Sequence, residues 1–453
     1  MQLISPTDNI FLLGESREHP MHVGGLQLFE PPEDAGPEFV RETYEAMLAC
    51  TDVQPTFRKR PAFLGGITNV AWSDDKDIDL EYHLRRSALP KPGRVRDLLE
   101  LTSRLHGSLL DRHRPLWETH LVEGLDDGRY ALYNKIHHSL IDGVSAQRLM
   151  QRSMTPDPDD DEVRVPWELK PGRRKASGRG RSPIEALTNA VGSAAALAPS
   201  TLSLIRDGLF EQQLTLPFRA PKTMFNVRIG GARRAAAQSW SLDRFKRVKE
   251  AVGGVTVNDV ILAMCSGALR AYLLDQNALP EAPLVAMVPV SLRKDGDDDR
   301  GGNMVGTILC NLATHLDDAG QRLEAIHESM RDNKNVFAEL PQVQQFALSA
   351  CLTGGIALAL VPGFVAAAPP PFNIVISNVP GPREPMYWRG ARLDGNYPLS
   401  IALDGQALNI TMTNNGDNLD FGLVGCRRSV PHLQRLLGHL ETSLKDLERS
   451  ACE

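Results

Sequence analysis

Between Met154 and Arg181 the chain changes character, and that break constrains the fold more than any other feature. Pro156 and Pro158 are interleaved with Asp157, Asp159, Asp160, Asp161 and Glu162; Lys170, Arg173, Arg174, Lys175, Arg179 and Arg181 follow among Gly and Ser. Opposite charge blocks set among Pro and Gly mark a linker or a surface crossover. Helical and strand patterns alternate on both sides of it. A chain of 453 residues exceeds what one core organises and corresponds to two or three domains. The expected division is 1–155, a linker with a helix over 156–220, and 221–453. Alternating elements in two halves predict a two-domain α/β protein.

Local signals fill in the halves. Ser5-Pro6-Thr7-Asp8 reads as a helix start, with Ser5 as cap and Pro6 at the first helical position. Residues 129–136 alternate as a strand does, and 144–154 read as a helix. Residues 183–210 look helical with a weak apolar face. In 257–275, Val260, Ile261, Met264, Ala268, Ala271 and Tyr272 recur at helical spacing. Strands are expected at 285–290, 373–377, 408–413 and 421–424, and a closing helix at 431–449 carries leucines at 433, 436, 437, 440, 444 and 447. No internal repeat is visible.

Composition removes several classes. The net charge is −6, a poor balance for displacing counterions, so no nucleic-acid partner is expected. Cys50, Cys265, Cys310, Cys351, Cys426 and Cys452 form no C-x-x-C pair, which speaks against a zinc ribbon or a disulfide framework. No metal site is expected. The N-terminus places Asp8 and Glu15 around the short apolar run 10–13, unlike a secretory signal, so a reducing, cytoplasmic compartment is expected. Residues 340–382 contain no Asp, Glu, Lys, Arg or His. Ser349, Thr353, Gly354, Gly355 and Pro362 interrupt the run, so a buried core helix ranks first. A helix whose Gly354-Gly355 step leaves room for a long apolar ligand ranks second, and a membrane span third.

The chain lacks G-x-S-x-G, G-x-x-x-x-G-K-[ST], H-E-x-x-H and G-x-G-x-x-G, the usual marks of α/β hydrolases, P-loop NTPases, zincins and Rossmann dehydrogenases. What remains is His137-His138-Ser139-Leu140-Ile141-Asp142-Gly143. The pair sits where a strand gives way to a turn. Adjacent strand residues point to opposite faces, so one histidine faces a cavity and the other the packed side. Asp142 is placed to cap the following helix or to hold an arginine from elsewhere. On spacing alone, a structural histidine pair and a catalytic one stand level. Imidazole is nonetheless the side chain best suited to take a proton near neutral pH.

H-H-S-L-I-D-G resembles the H-H-x-x-x-D-G signature of the bacterial wax ester synthase/acyl-CoA:diacylglycerol acyltransferase family, within the chloramphenicol-acetyltransferase-like, CoA-dependent acyltransferases. The resemblance extends along the chain from residue 5 to 425. Ser5-Pro6-Thr7-Asp8, Pro20-Met21-His22-Val23-Gly24-Gly25-Leu26, Pro115-Leu116-Trp117-Glu118, Val257-Asn258-Asp259-Val260, Asn378-Val379-Pro380-Gly381-Pro382 and Asp420-Phe421-Gly422 are similar to its ordered motifs. Residues 155–220 match no family pattern, and Ala235 stands where a large apolar residue is expected.

The resemblance implies two acyltransferase-like domains of mixed sheets flanked by helices, with the active site in a channel between them. It implies transfer of a long acyl chain from acyl-CoA, as co-substrate and without a cofactor, to a fatty alcohol or to diacylglycerol. His138 would be the general base, His137 its supporting neighbour, and Asp142 and Gly143 parts of the turn, with Asp142 paired to Arg293. Asn258 has two readings, oxyanion donor or helix cap. Pro115, Leu116 and Trp117 would wall the acyl channel or be plain core, Gly354 and Gly355 would line the apolar tunnel, and His22 reads as packing. The alternatives are a condensation-type acyltransferase using carrier-bound acyl groups and a non-catalytic lipid-binding protein of the same fold. A monomer or homodimer in peripheral contact with membranes or lipid droplets is expected.

Overall fold

The computed structural model describes residues 2–64, 67–169, 217–291, 305–339 and 368–452, with the single residues 215 and 365. The expected helix at 183–210 lies outside them. The strands of the first part are β1 (Gln2–Leu3), β2 (His22–Glu30), β3 (Lys59–Leu64), β4 (Ile67–Asp74), β5 (Leu84–Ala88), β6 (Trp117–Glu123) and β7 (Tyr130–His137). Those of the second part are β8 (Arg233–Ser241), β9 (Val285–Ser291), β10 (Val305–Asn311), β11 (Ile374–Val379), β12 (Tyr387–Trp388), β13 (Ala391–Leu399), β14 (Leu408–Asn415) and β15 (Asn418–Cys426).

They form two six-stranded sheets and a small three-stranded one. The first large sheet has the order β12-β13-β2-β7-β6-β5, the second β10-β9-β11-β14-β15-β8, and the small sheet β1-β4-β3. Both large sheets mix parallel with antiparallel pairs: β5 runs parallel to β6, and β11 runs parallel to β9 and β14. The protein is the mixed α/β fold that the sequence predicts.

One feature of the topology departs from a division by sequence order. β12 and β13 come from the last quarter of the chain yet complete the first sheet. β13 lies antiparallel to β2, from Leu399 opposite Gly24 to Arg392 opposite Glu30. Two contacts clasp this crossing strand to the second sheet. The Asp420 carboxylate accepts the Asn396 N–H at 2.6 Å and an amide N–H of Asn415 at 3.0 Å. At Gly422 the Pro398 carbonyl oxygen lies 2.0 Å from where a Cβ would stand. The Asp420-Phe421-Gly422 motif is therefore a lock between the halves.

β7 is buried at every position, as a strand covered on both faces must be. Tyr130, Leu132 and Ile136 face one cluster with Phe29, Met47, Trp117, Leu149 and Trp167. Ala131 and Tyr133 face the other, with Leu98 and Leu99 of the helix Val95–Gly107. That helix also touches the second half, where the Ala235 N–H donates to Ser103 Oγ at 2.9 Å. The helix Val257–Asp275 coincides with its sequence prediction. It is long and apolar enough to cross a membrane, yet most of it is buried inside the protein. An all-round apolar helix belongs in such a core. The helix Arg435–Ser450 packs along it through Leu436, Leu440, Leu444 and Leu447.

Candidate active site

The histidine turn begins where the β7 ladder ends. The His137 N–H donates to Leu116 O at 3.0 Å, and the His138 N–H donates to Met21 O at 2.9 Å. His137 O then accepts the Leu140 N–H at 2.9 Å, which closes the turn. Asp142 caps the helix Gly143–Arg152: one carboxylate oxygen accepts the Ser145 N–H and the other the Ser145 hydroxyl, both at 2.8 Å. Gly143 opens this helix, where first-turn N–H groups have no helical partners.

The two rings diverge. His137 is fully buried. Its Nδ1 accepts the Ser139 N–H at 3.1 Å and lies 2.6 Å from the Ser139 hydroxyl. Its Nε2 lies 3.3 Å from Glu15 Oε1. Arg112 Nε donates to the other oxygen of Glu15 at 2.9 Å. Burial raises the Glu15 pKa, but His137 and Arg112 outweigh it and hold the carboxyl below its ordinary value.

His138 is half-buried. Phe11, on the helix Pro6–Gly14, stacks on its ring with centroids 4.0 Å apart. Nδ1 is sealed from solvent, with no hydrogen-bond partner among the described residues. Burial pulls the imidazole pKa down to about 4 against the opposing pull of Asp142 and, further down the order of causes, Asp8. The ring is therefore neutral, and able to accept a proton, throughout the neutral range.

On the face of the first sheet below the turn lies a buried polar network. His22 stands opposite His137 across β2 and β7. It is buried, with Nε2 2.9 Å from His106 O. His106 Nδ1 lies 2.8 Å from the Tyr133 hydroxyl. Lys135 Nζ donates to Leu105 O and Ser108 O at 3.1 and 3.0 Å, and Glu118 stands 3.5 Å away. This ammonium closes the C-terminal end of the helix Val95–Gly107 and ties it to the strand that delivers the histidines.

The remaining expected residues fall in three groups. Pro115, Leu116 and Trp117 are buried just before and within β6. Leu116 sits with Leu12, Leu110 and Leu140. Trp117 stacks between His83 and Trp167 and donates its indole N–H to Phe57 O at 2.9 Å. Asn258 stands partly exposed on the first turn of its helix. It is not the cap: Thr256 accepts the Asp259 N–H and Asp259 accepts the Thr256 N–H, completing a capping box. Among the described residues no hydrogen bond or ion pair joins Asn258 to the His137–Gly143 turn. Arg293, Gly354 and Gly355 lie outside the described residues, as do 340–364 of the charge-free stretch.

Sequence reasoning missed Glu15, Arg112, Ser139 and Phe11. Glu15 served there as evidence against a signal sequence. Its position six residues before Met21, whose carbonyl holds His138, was the available signal.

The wax ester synthase/diacylglycerol acyltransferase catalytic domain model matches residues 4–261, and the WS/DGAT C-terminal domain model matches 301–448. A probable diacylglycerol O-acyltransferase of Mycobacterium tuberculosis is 66% identical over 452 residues, 99% of each chain. The solved wax ester synthase/diacylglycerol acyltransferase of Marinobacter aquaeolei VT8 is 42% identical with a TM-score of 0.82, covering 100% of both chains. The first condensation domain of the calcium-dependent antibiotic synthetase shares the fold at 16% identity, with a TM-score of 0.58 over 100% of this chain and 96% of that one. Two family models and relatives aligned from end to end agree with the histidine turn: the chain belongs to the wax ester synthase/diacylglycerol acyltransferase family.

Proposed function

We propose that this acyltransferase moves a long acyl chain from acyl-CoA to the hydroxyl of diacylglycerol or a fatty alcohol, with His138 as general base. The carrying observation is the imidazole itself: half-buried, held neutral by its surroundings, with Nδ1 closed off. Nε2 takes the acceptor's hydroxyl proton as the alcohol oxygen bonds to the thioester carbon. The C–S bond then breaks, and the proton passes from Nε2 to the departing CoA thiolate. A positioned base contributes typically 10²–10⁴-fold, and holding both substrates together contributes a further large part.

Asn258 is the proposed oxyanion donor, since Thr256 already caps that helix and its amide is left for another use. Asp142 shapes the turn, and Arg293 is its proposed partner. Pro115, Leu116, Gly354 and Gly355 are proposed to flank an apolar passage between the halves. Trp117 supports that wall from the core. The products are strongly apolar, so the enzyme works in the cytoplasm in peripheral contact with membranes or lipid droplets.

The test is purified protein with palmitoyl-CoA and either hexadecanol or dipalmitoylglycerol, following free thiol. Acceptor-dependent thiol release that His138→Ala abolishes is expected. Release at the original rate by His138→Ala overturns the assignment.

A further inference from the structure

The Glu15 carboxylate touches both layers that enclose His138, and nothing in the acyl-transfer scheme uses it. Its side chain is 2% exposed and that of His137 0%. Oε1 lies 3.3 Å from His137 Nε2, in electrostatic contact but outside hydrogen-bond geometry, and accepts the Met21 N–H at 3.4 Å. Oε2 accepts from Arg112, whose guanidinium also donates to Leu12 O at 2.6 Å. Leu12 follows Phe11, the residue stacked on His138.

We propose that Glu15 is a positioning residue: it holds His137 in one tautomer and thereby fixes the turn from which His138 projects. The inference rests on the assignment of His138 as base. A ring nitrogen that accepts a hydrogen bond carries no proton. Because Nδ1 accepts from the Ser139 N–H, the His137 proton sits on Nε2, the nitrogen that faces Glu15. A carboxylate beside an N–H fixes both the tautomer and the ring angle. The fixed ring in turn gives the Ser139 N–H its acceptor, and Ser139 immediately follows His138. A second route runs through the Met21 peptide. Its N–H is held by Glu15 while its carbonyl holds the His138 N–H. Without the carboxylate, His137 is free to exchange tautomers, Ser139 loses its acceptor whenever Nδ1 is protonated, and Nε2 of His138 drifts. A displacement of about 1 Å costs on the order of 100-fold in rate.

The experiment uses the full chain as wild type, Glu15→Gln, Glu15→Ala and His138→Ala. Three quantities are measured: kcat and KM for palmitoyl-CoA, thermal melting, and the ¹⁵N shifts of the His137 ring. The wild-type ring is expected in the single Nε2–H form. Glu15→Ala is expected to mix the tautomers and to lower kcat roughly 10- to 100-fold, with KM within about twofold. Glu15→Gln keeps a carbonyl acceptor at near-wild-type volume, so it folds even where Glu15→Ala does not, and it retains a larger share of kcat. A merely structural role moves the melting temperature and leaves the tautomer alone. Unchanged His137 shifts and wild-type kcat in Glu15→Gln and in any folded Glu15→Ala overturn the proposal, and the shifts can be read whether or not turnover is found. His138→Ala separates the two ideas: full activity there removes the base assignment, whereas a silent His138→Ala beside wild-type kcat and unchanged His137 shifts in Glu15→Gln and in any folded Glu15→Ala removes the positioning role alone.

Discussion

Burial prepares the proposed base, His138, for its role. The same desolvation that lowers its pKa to about 4 removes competing water from Nδ1. It also makes the imidazolium of the transition state costly, so Asp142 and Asp8, which favour the charged form, matter at the moment of proton transfer. The pH profile follows from the sign. In the proposed role the neutral imidazole is the active form, and it is lost as pH falls through about 4. In short assays on folded enzyme, kcat/KM should stay level from neutral pH to about 5 and then fall tenfold per unit below about 4. An acid limb centred near the ordinary histidine value, about 6.5, would show that the ring is hydrated in solution. The sequence places His137 and His138 at a strand end and assigns them to opposite sides, because alternation is local. Glu15 and Arg112 are absent from that reading, since an ion pair between distant segments leaves no periodic trace.

At the scale of elements, caps and close approaches divide the work among neighbouring residues. Thr256 and Asp259 satisfy the start of the helix Val257–Asp275, so Asn258 is free of that duty. Thr256→Ala should cost about 1 kcal/mol of stability and leave turnover intact. Asn258→Ala should do the reverse, with melting unchanged and kcat lowered by about 10². Melting curves and thiol release on the pair decide the matter, and equal stability losses with equal turnover would return Asn258 to a local role. Gly422 is required for a different reason. Its φ is unremarkable, but a Cβ would meet the Pro398 carbonyl oxygen at 2.0 Å, and backbone cannot yield as a side chain can. Gly422→Ala should push β13 off β15 and cost about 3 kcal/mol, visible as a lower urea midpoint. The helix over 257–275 is legible in the sequence because its apolar spacing persists for five turns. β13 is not legible, because Gly395 and Pro398 disguise the strand and its partner β2 lies at the other end of the chain.

For the whole molecule, the buried histidines dominate the response to acid. His22, His83, His106, His120 and His138 all have pKa values lowered chiefly by burial, His106 to about 3. Several belong to one layer, where the first sheet meets the helix Val95–Gly107 that also touches the second half. In the unfolded chain these rings titrate near 6.5. Below that pH the unfolded state binds protons that the folded state refuses, so stability falls as pH drops from about 6.5 toward the folded values. Asp420 works in the opposite sense. Burial raises its pKa to about 6, so the folded state takes up a proton first, and the clasp gains between about 6 and its ordinary value near 3.9. Each fully shifted group contributes about 1.4 kcal/mol per pH unit. His22 and His106, whose pKa values burial lowers furthest, together outweigh Asp420 as pH falls below about 6.5, so the balance is a loss of stability. Urea midpoints at pH 7, 6 and 5 should fall steeply, and His106→Gln, which titrates in neither state, should flatten the fall by about one group's share. A midpoint constant from pH 7 to 5 would mean that the layer beneath the histidine turn is open to water.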